Sequence, residues 1–281
     1  MTNSPPERVV HLNRYYHFTE LMRDSAVEAQ LRRYQSNYDG SMQSVLILQP
    51  SGQKSDQLFF FFHGMDGDAG DGVVVRDMVK RLRATVIAMG GRGPAWVANS
   101  VLADTEQVIR TFSGDFQSYH LIGVSMGGTQ ALVLAALLPD DLRQAILGVI
   151  ALIPGTDLPA ILQRSANERI KNSIRDSVDG DVSLLQQRSP TNVLDLYRPG
   201  LPFLFFCRLE DTLLLADEVQ AFIVNLRAKG HPAAVFSAAG EHEFTYKHFD
   251  FVEAIKKLGS NATEYKVPLL SNEPQSRMLP H

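Results

Sequence analysis

Residues 121–128 read LIGVSMGG, so an apolar run leads directly into a serine that lies among glycines. Gly123 stands two positions before Ser125, and Gly127 stands two positions after it. A serine hydroxyl becomes a nucleophile when a neighbouring base accepts its proton. Because glycine has no Cβ atom, the two glycines would let a strand turn sharply into a helix with the hydroxyl at the turn. The segment therefore predicts a nucleophilic serine between a strand and a helix.

A nucleophilic serine needs a base, normally a histidine, and the histidine needs an orienting carboxylate. In a parallel α/β sheet the active groups gather beyond the carboxyl ends of the strands. Three histidines follow predicted strands, namely His63, His242 and His248. His242 lies in a glycine-containing loop directly after the last predicted strand, whereas His248 lies within the predicted helix that follows. We therefore expect His242 to be the base and His63 to brace its own loop.

Two aspartates follow predicted strands and could orient the histidine. Asp211 comes after the predicted strand at 202–207 in the segment CRLED, and Asp157 comes after the predicted strand at 146–152. Either residue could instead cap a helix, which is a common use of aspartate. We favour Asp211 as the acid and keep Asp157 as the alternative.

An acyl-transfer reaction also needs N–H donors for the oxyanion of its tetrahedral intermediate. A helix N-terminus presents free N–H groups, so the backbone of Met126 is the first candidate. The loop after the predicted strand at 57–62 reads HGMDGDAGDG, and its glycines let the backbone approach a substrate. The N–H of Met65 is therefore the second candidate. The aspartates of this loop lack the spacing of an EF-hand, and we predict no metal site.

Apolar runs of strand length alternate with helical patterns along most of the chain. The runs lie at 45–49, 57–62, 84–89, 119–124, 146–152, 202–207 and 233–238. The helical patterns lie at 73–83, 101–112, 126–138, 216–229 and about 246–258. Most runs are continuous rather than alternating, as in strands covered on both faces. This order predicts the α/β class, with a mostly parallel central sheet flanked by helices.

The chain divides into a core and three segments of different character. Residues 1–40 form a polar lead-in with a possible helix at 18–34, and 41–258 form the α/β domain. About fifty residues at 153–200 interrupt the alternation, and a segment of this length suggests a lid-like insertion. Residues 259–281 are polar, and we expect a flexible tail.

Composition narrows the possible partners. The 281 residues are 44% apolar, with a net charge of −4 and a pI near 6.1, so no nucleic-acid partner is expected. Cys207 is the single cysteine, which rules out an intramolecular disulfide. No signal peptide and no membrane span are evident, and we expect a cytoplasmic protein.

These residues as a set resemble the α/β-hydrolase family. The resemblance covers about 45–258 and rests on the following motifs: the His63-Gly64 turn, the GVSMGG elbow at 123–128, the acid Asp211 and the base His242, in that order. It implies a serine hydrolase that acts on esters, thioesters or amides through an acyl-enzyme and without a cofactor. One departure is Arg208, where family members often have glycine. An arginine there could crowd the acid loop or offer a cation to a substrate carboxylate.

Two further residues lie at the end of the predicted sheet where the strands have their carboxyl ends. Arg92 and Trp96 occur in GGRGPAW, after the predicted strand at 84–89. They could line a substrate pocket, or they could be a solvated arginine and a packed tryptophan.

Three functions are compatible with these residues. The first is a serine hydrolase that cleaves a carboxylic ester or related acyl bond of a small molecule. The second is an acyltransferase or thioesterase with the same nucleophile, acting in one version on a carrier-bound thioester. The third is a non-catalytic binding protein on the same scaffold, which would be expected to lack one member of the triad.

Overall fold

The computed structural model describes residues 25–52, 55, 57–242, 251–256 and 258. Within these residues an eight-stranded sheet has the order β1-β2-β4-β3-β5-β6-β7-β8. The strands are β1 (Val27–Gln35), β2 (Met42–Pro50), β3 (Gln57–Phe62), β4 (Ala84–Met89), β5 (Tyr119–Val124), β6 (Ile146–Leu152), β7 (Phe203–Arg208) and β8 (Ala233–Ala238). Strands β1 and β2 are antiparallel to their neighbours, and β3 to β8 are mutually parallel. The predicted α/β class is confirmed.

The α-helices flank this sheet and cover both of its faces. They are α1 (Arg76–Arg81), α2 (Asn99–Phe112), α3 (Met126–Leu137), α4 (Asp140–Gln144), α5 (Leu158–Arg164), α6 (Glu168–Asp176), α7 (Val182–Gln187), α8 (Ala216–Ala228) and α9 (Phe251–Lys256). Short 3₁₀ helices span Ala69–Val75, Pro190–Asn192 and Leu194–Leu196. Helices α2, α3 and α8 contribute to the core on one face, and α1 and α9 contribute on the other.

Burial on both faces explains the continuous apolar runs. In β3, Phe60 and Phe62 pack into the core on one face, and Phe59 and Phe61 pack into the core on the other. A strand that faces solvent on one side would show alternating polarity instead. The central parallel strands were therefore readable from their composition.

The predicted helix at 18–34 is wrong in the part that the structure describes. Residues Val27–Gln35 form β1, which pairs along its whole length with β2. Most β1 side chains are exposed, so the strand carries little apolar signal of its own. Backbone pairing with the apolar β2 decides its conformation, and tertiary context overrides the local pattern. The sheet thus begins inside the predicted lead-in, whose residues 1–24 lie outside the described residues.

Two other predicted helices differ in their bounds. The pattern at 73–83 corresponds to a 3₁₀ helix, Ala69–Val75, followed by α1. A Cβ atom on Gly72 would lie 2.5 Å from the Cβ of Ala88, so this segment approaches β4 closely. Of the predicted helix at 246–258, α9 covers Phe251–Lys256, and residues 246–250 and 257 lie outside the described residues.

The predicted insertion at 153–200 contains α5, α6 and α7. Each of these helices begins at a side chain that accepts backbone N–H bonds: Asp157, Asn167 and Asp181 respectively. Their apolar residues form a third core cluster, which also includes Met126 and Trp96. The insertion is therefore packed onto the end of the sheet that carries Ser125. None of the helices in the described ranges is long and apolar enough to cross a membrane.

Candidate active site

Ser125 occupies a strained turn between β5 and α3. Its backbone has φ of 55° and ψ of −119°, a conformation that residues other than glycine rarely adopt. A Cβ atom on Gly123 would lie 2.0 Å from the carbonyl oxygen of Gly127. A Cβ atom on Gly127 would lie 2.1 Å from the carbonyl oxygen of Phe62. Both glycines are therefore required by close backbone contacts, which is the geometry of a nucleophile elbow.

The structure brings together Ser125 and His242, which are 117 residues apart in the sequence. Ser125 follows β5, and His242 lies in the loop after β8. The Oγ atom of Ser125 lies 2.9 Å from Nε2 of His242, which is hydrogen-bond distance. The His242 side chain is 25% exposed, so a substrate can reach the ring.

Asp211 completes a chain of three hydrogen-bonded side chains. Nδ1 of His242 lies 2.6 Å from Oδ2 of Asp211. The other carboxylate oxygen accepts the N–H groups of Leu213 and Leu214, each at 2.9 Å. Burial alone would raise the pKa of Asp211, but the bonds from His242 and the two backbone N–H groups outweigh it and lower that pKa. An ionised Asp211 accepts the Nδ1 proton, which leaves Nε2 free to accept from Ser125.

Of the two predicted oxyanion donors, one precedes Ser125 in the sequence and the other follows it directly. Met126 is the first residue of α3, and Met65 lies in the loop after β3. No protein acceptor within the described ranges takes the backbone N–H of either residue. Both N–H groups are therefore available to a ligand. That loop also approaches the elbow, because a Cβ atom on Gly64 would lie 3.8 Å from the Cβ of Ser125.

His63 braces this loop, as the sequence predicted. The side chain is buried, with Nδ1 at 2.6 Å from the carbonyl oxygen of Gly64 and Nε2 at 3.0 Å from that of Gly90. The ring thus ties the loop after β3 to the loop after β4.

The alternative acid and base have other positions. Asp157 accepts the N–H of Ala160 at 3.0 Å and caps α5, which is the helix-cap role weighed for it. His248 lies outside the described residues.

Arg92 and Trp96 both have protein partners. The guanidinium of Arg92 lies 2.6 Å from Asp104 and 2.5 Å from Asp39, so it is neither a solvated arginine nor an unpaired cation. Trp96 is 2% exposed and donates its indole N–H to Oγ of Ser173 at 2.9 Å. The packed-tryptophan alternative fits the structure, within the apolar cluster that also holds Met126.

Arg208 does not face solvent. The residue is 5% exposed, and its Nη1 donates to the carbonyl oxygen of Ala239 at 2.8 Å. This contact points to the loop that carries His242, rather than to an open pocket.

Sequence reasoning missed two features of this region. The amide donors of Leu213 and Leu214 follow from an aspartate that bonds the backbone two and three residues on, which is a recognisable local turn. Ser173 gave no signal, because its contact with Trp96 depends on how the insertion packs. Within the described residues, no group of three or more His, Cys, Asp or Glu side chains is arranged to hold a metal ion.

Comparison with solved structures identifies the fold. The chain superposes on puromycin hydrolase with a TM-score of 0.63, at 20% identity over 87% of this chain and 41% of that one. S-formylglutathione hydrolase (FrmB) from Staphylococcus aureus gives 0.63, at 17% identity over 82% of this chain and 96% of that one. A thermostable esterase from Pseudomonas putida gives 0.59, at 22% identity over 82% and 79% of the two chains. The fold is the α/β-hydrolase fold, as the motifs predicted.

The lengths of these proteins differ. The chain spans about two fifths of the puromycin hydrolase and nearly all of the formylglutathione hydrolase. No protein-family model matches the sequence, and comparison with curated proteins found no match.

Proposed function

We propose that the protein is a serine hydrolase that cleaves a carboxylic ester or a related acyl bond of a small molecule. The observation that carries this proposal is the chain of hydrogen bonds from Ser125 through His242 to Asp211. It lies at the carboxyl end of the parallel strands, where α/β proteins bind ligands. An esterase and a formylglutathione hydrolase on the same fold add support.

In the proposed reaction, Ser125 Oγ attacks the acyl carbonyl while His242 Nε2 accepts its proton. Asp211 holds the ring orientation and stabilises the imidazolium. The N–H groups of Met126 and Met65 bind the oxyanion of the tetrahedral intermediate. His242 then protonates the leaving group, and a water molecule activated by His242 releases the acyl group from Ser125. No cofactor takes part in these steps.

Apolar side chains dominate the cluster beside the elbow. Met126, Trp96 and Leu214 are buried in it, and Met65 and Leu213 are partly buried against it. We propose that this cluster forms one wall of the acyl site, which favours an uncharged acyl group. The second candidate function is an acyltransferase or a thioesterase, because the same serine nucleophile would serve in acyl transfer to an alcohol and in cleavage of a thioester. Adding a competing alcohol to the assay would separate transfer from hydrolysis.

The test is covalent labelling with a fluorophosphonate, followed by intact-mass spectrometry. The wild-type protein should gain a single adduct, because the probe needs an activated serine and no knowledge of the substrate. The Ser125→Ala variant should gain none and should lose about three orders of magnitude or more in kcat on any ester that the wild type cleaves.

A matched control is Ser113→Ala, which removes a hydroxyl that donates to the carbonyl of Ile109 at the end of α2. That variant should be labelled like the wild type. An adduct that persists in Ser125→Ala, or folded wild-type protein that is never labelled, would refute the proposal.

A further inference from the structure

Arg208 is a buried arginine at the junction of the two loops that carry Asp211 and His242. It is the last residue of β7, and its register partner on β8 is Ala238. A buried guanidinium is stable only when its N–H groups find acceptors. One of these acceptors is the carbonyl oxygen of Ala239, on the chain that leads to His242.

Besides the bond between His242 and Asp211, three successive hydrogen bonds join the end of β7 and its loop to the end of β8 and its loop. The N–H of Leu209 donates to the carbonyl of Ala238 at 2.9 Å, and the N–H of Glu210 donates to that of Gly240 at 3.1 Å. Between these two bonds, Nη1 of Arg208 donates to Ala239 at 2.8 Å. The three consecutive carbonyls of residues 238–240 are therefore held by the three consecutive residues 208–210. The arginine supplies the only side-chain bond of the three.

Arg208 also supports the loop by direct contact. Gly240 has a φ of +121°, and a Cβ atom there would lie 3.0 Å from Cζ of Arg208 and 3.2 Å from its Nε. The guanidinium therefore lies close against the Gly240 backbone, and a Cβ atom there would require it to move by a few tenths of an ångström. None of the four residues from Ala239 to His242 is buried, so burial of their own side chains contributes little to fixing the loop, and the contact with Arg208 is one of the interactions that hold it.

We propose that Arg208 is a positioning residue that holds the loop of His242 so that the ring reaches Ser125 and Asp211 at the same time. The inference rests on the proposed function, because it assigns His242 the role of base. A base that is displaced by about 1 Å can lose ~100-fold in rate, so a bond three residues away has a measurable effect.

The test compares three substitutions. Arg208→Gln removes the planar guanidinium cation. Arg208→Lys keeps one donor for the carbonyl oxygen of Ala239 but loses the contact with Gly240. Arg227→Gln is the matched control, because Arg227 donates to the carbonyl of Ala233 at the other end of β8. The readouts are the rate of fluorophosphonate labelling, kcat and KM separately, the thermal midpoint, and the ¹H NMR signal of the His242 Nδ1 proton.

We expect Arg208→Gln to lower kcat and the labelling rate ~10- to 100-fold, with KM changed less than about 3-fold. Arg208→Lys should recover part of this loss. Arg227→Gln should leave the labelling rate near that of the wild type, although its thermal midpoint falls. The His242 Nδ1 proton signal should be retained in Arg227→Gln and lost or broadened in Arg208→Gln.

Two results would overturn the inference. One is labelling of both Arg208 variants within about 2-fold of the wild type. The other is an unchanged Nδ1 signal in Arg208→Gln, which would show that the ring keeps its place without the arginine. If Arg208→Gln does not fold, Arg208→Lys and Gly240→Ala carry the same comparison. The NMR signal tests the positioning role even if the wild type is never labelled, so that outcome refutes only the proposed function.

Discussion

At the scale of single residues, the surroundings of Asp211 determine its charge. Its side chain is fully buried, and three donors hold it ionised. Because its folded pKa is lowered, ionisation stabilises the fold at neutral pH, and that stabilisation is lost as the pH falls through the folded pKa. The same ionised form gives His242 the tautomer that can accept a proton from Ser125.

Replacing Asp211 by asparagine keeps the size of the side chain and removes its charge. We expect kcat to fall about 10⁴-fold, because the amide can stabilise the wrong tautomer of His242. Steady-state kinetics on the best ester substrate would measure this loss. Asp157→Asn is the control, because Asp157 caps α5 and asparagine is an equally good N-cap, so this variant should keep a kcat and a stability close to those of the wild type. If Asp157→Asn lowered kcat as much as Asp211→Asn does, Asp157 would have to be the acid instead.

At the scale of elements, helix α6 of the insertion contacts the loop that bears Met65. Arg169 forms an ion pair with Asp66, and the hydroxyl of Ser173 lies 3.4 Å from the sulfur of Met65. The same hydroxyl accepts the indole N–H of Trp96. One helix therefore touches both the proposed oxyanion loop and the apolar wall, so its packing and the shape of the site depend on each other.

The Ser173→Ala substitution tests this coupling. It leaves the buried indole N–H of Trp96 without its acceptor, which should lower the free energy of unfolding by about 1–3 kcal/mol. Ser177→Ala is matched to it, since each serine donates to a carbonyl of α6 three residues before it, Ser173 from within the helix and Ser177 from its C-cap. The difference between the two variants in urea denaturation measures the contacts of Ser173 with Trp96 and Met65 together. Equal losses of stability in the two variants would show that these contacts contribute nothing.

The elbow and the order of its partners could be predicted from sequence, because each depends on local geometry. Gly123 and Gly127 are glycines because the backbone approaches them too closely for a Cβ atom. Asp211 and His242 each follow a strand. The partners of Arg92, Ser173 and Arg208 could not be predicted, because they lie on segments that meet only when the insertion and the strand ends pack. Strand β1 was missed for the same reason, since its pairing with β2 decides its conformation.

At the scale of the whole molecule, a buried histidine lies at the end of the sheet opposite to the site of Ser125. His120 lies near the start of β5, far along the strand from Ser125, with its ring stacked on Phe59 at 4.7 Å. Its Nδ1 atom is buried with no hydrogen-bond partner among the described residues. Burial lowers the pKa of His120 from 6.5 to about 4.

This shift predicts a loss of stability in mild acid. Between pH 6.5 and about 4 the unfolded chain binds a proton at His120 that the folded chain does not, so the free energy of unfolding falls as the pH falls. The loss attributable to this residue is about 3 kcal/mol at most. Urea denaturation at pH 7 and at pH 4.5 would measure it, and His120→Gln should show a smaller decrease. An identical pH dependence in wild type and variant would contradict the assignment.

The positions of β7 and β8 have a consequence for how the protein would fail on heating. Asp211 follows β7, and His242 follows β8, which is the last strand in the sheet order. Ser125 instead follows the central strand β5. Strands at the border of a sheet open locally before the interior unfolds. Partial melting of that border would separate the base from the nucleophile while most of the protein kept its native spectrum. Heat inactivation would then precede the cooperative transition, and it would be reversible on cooling.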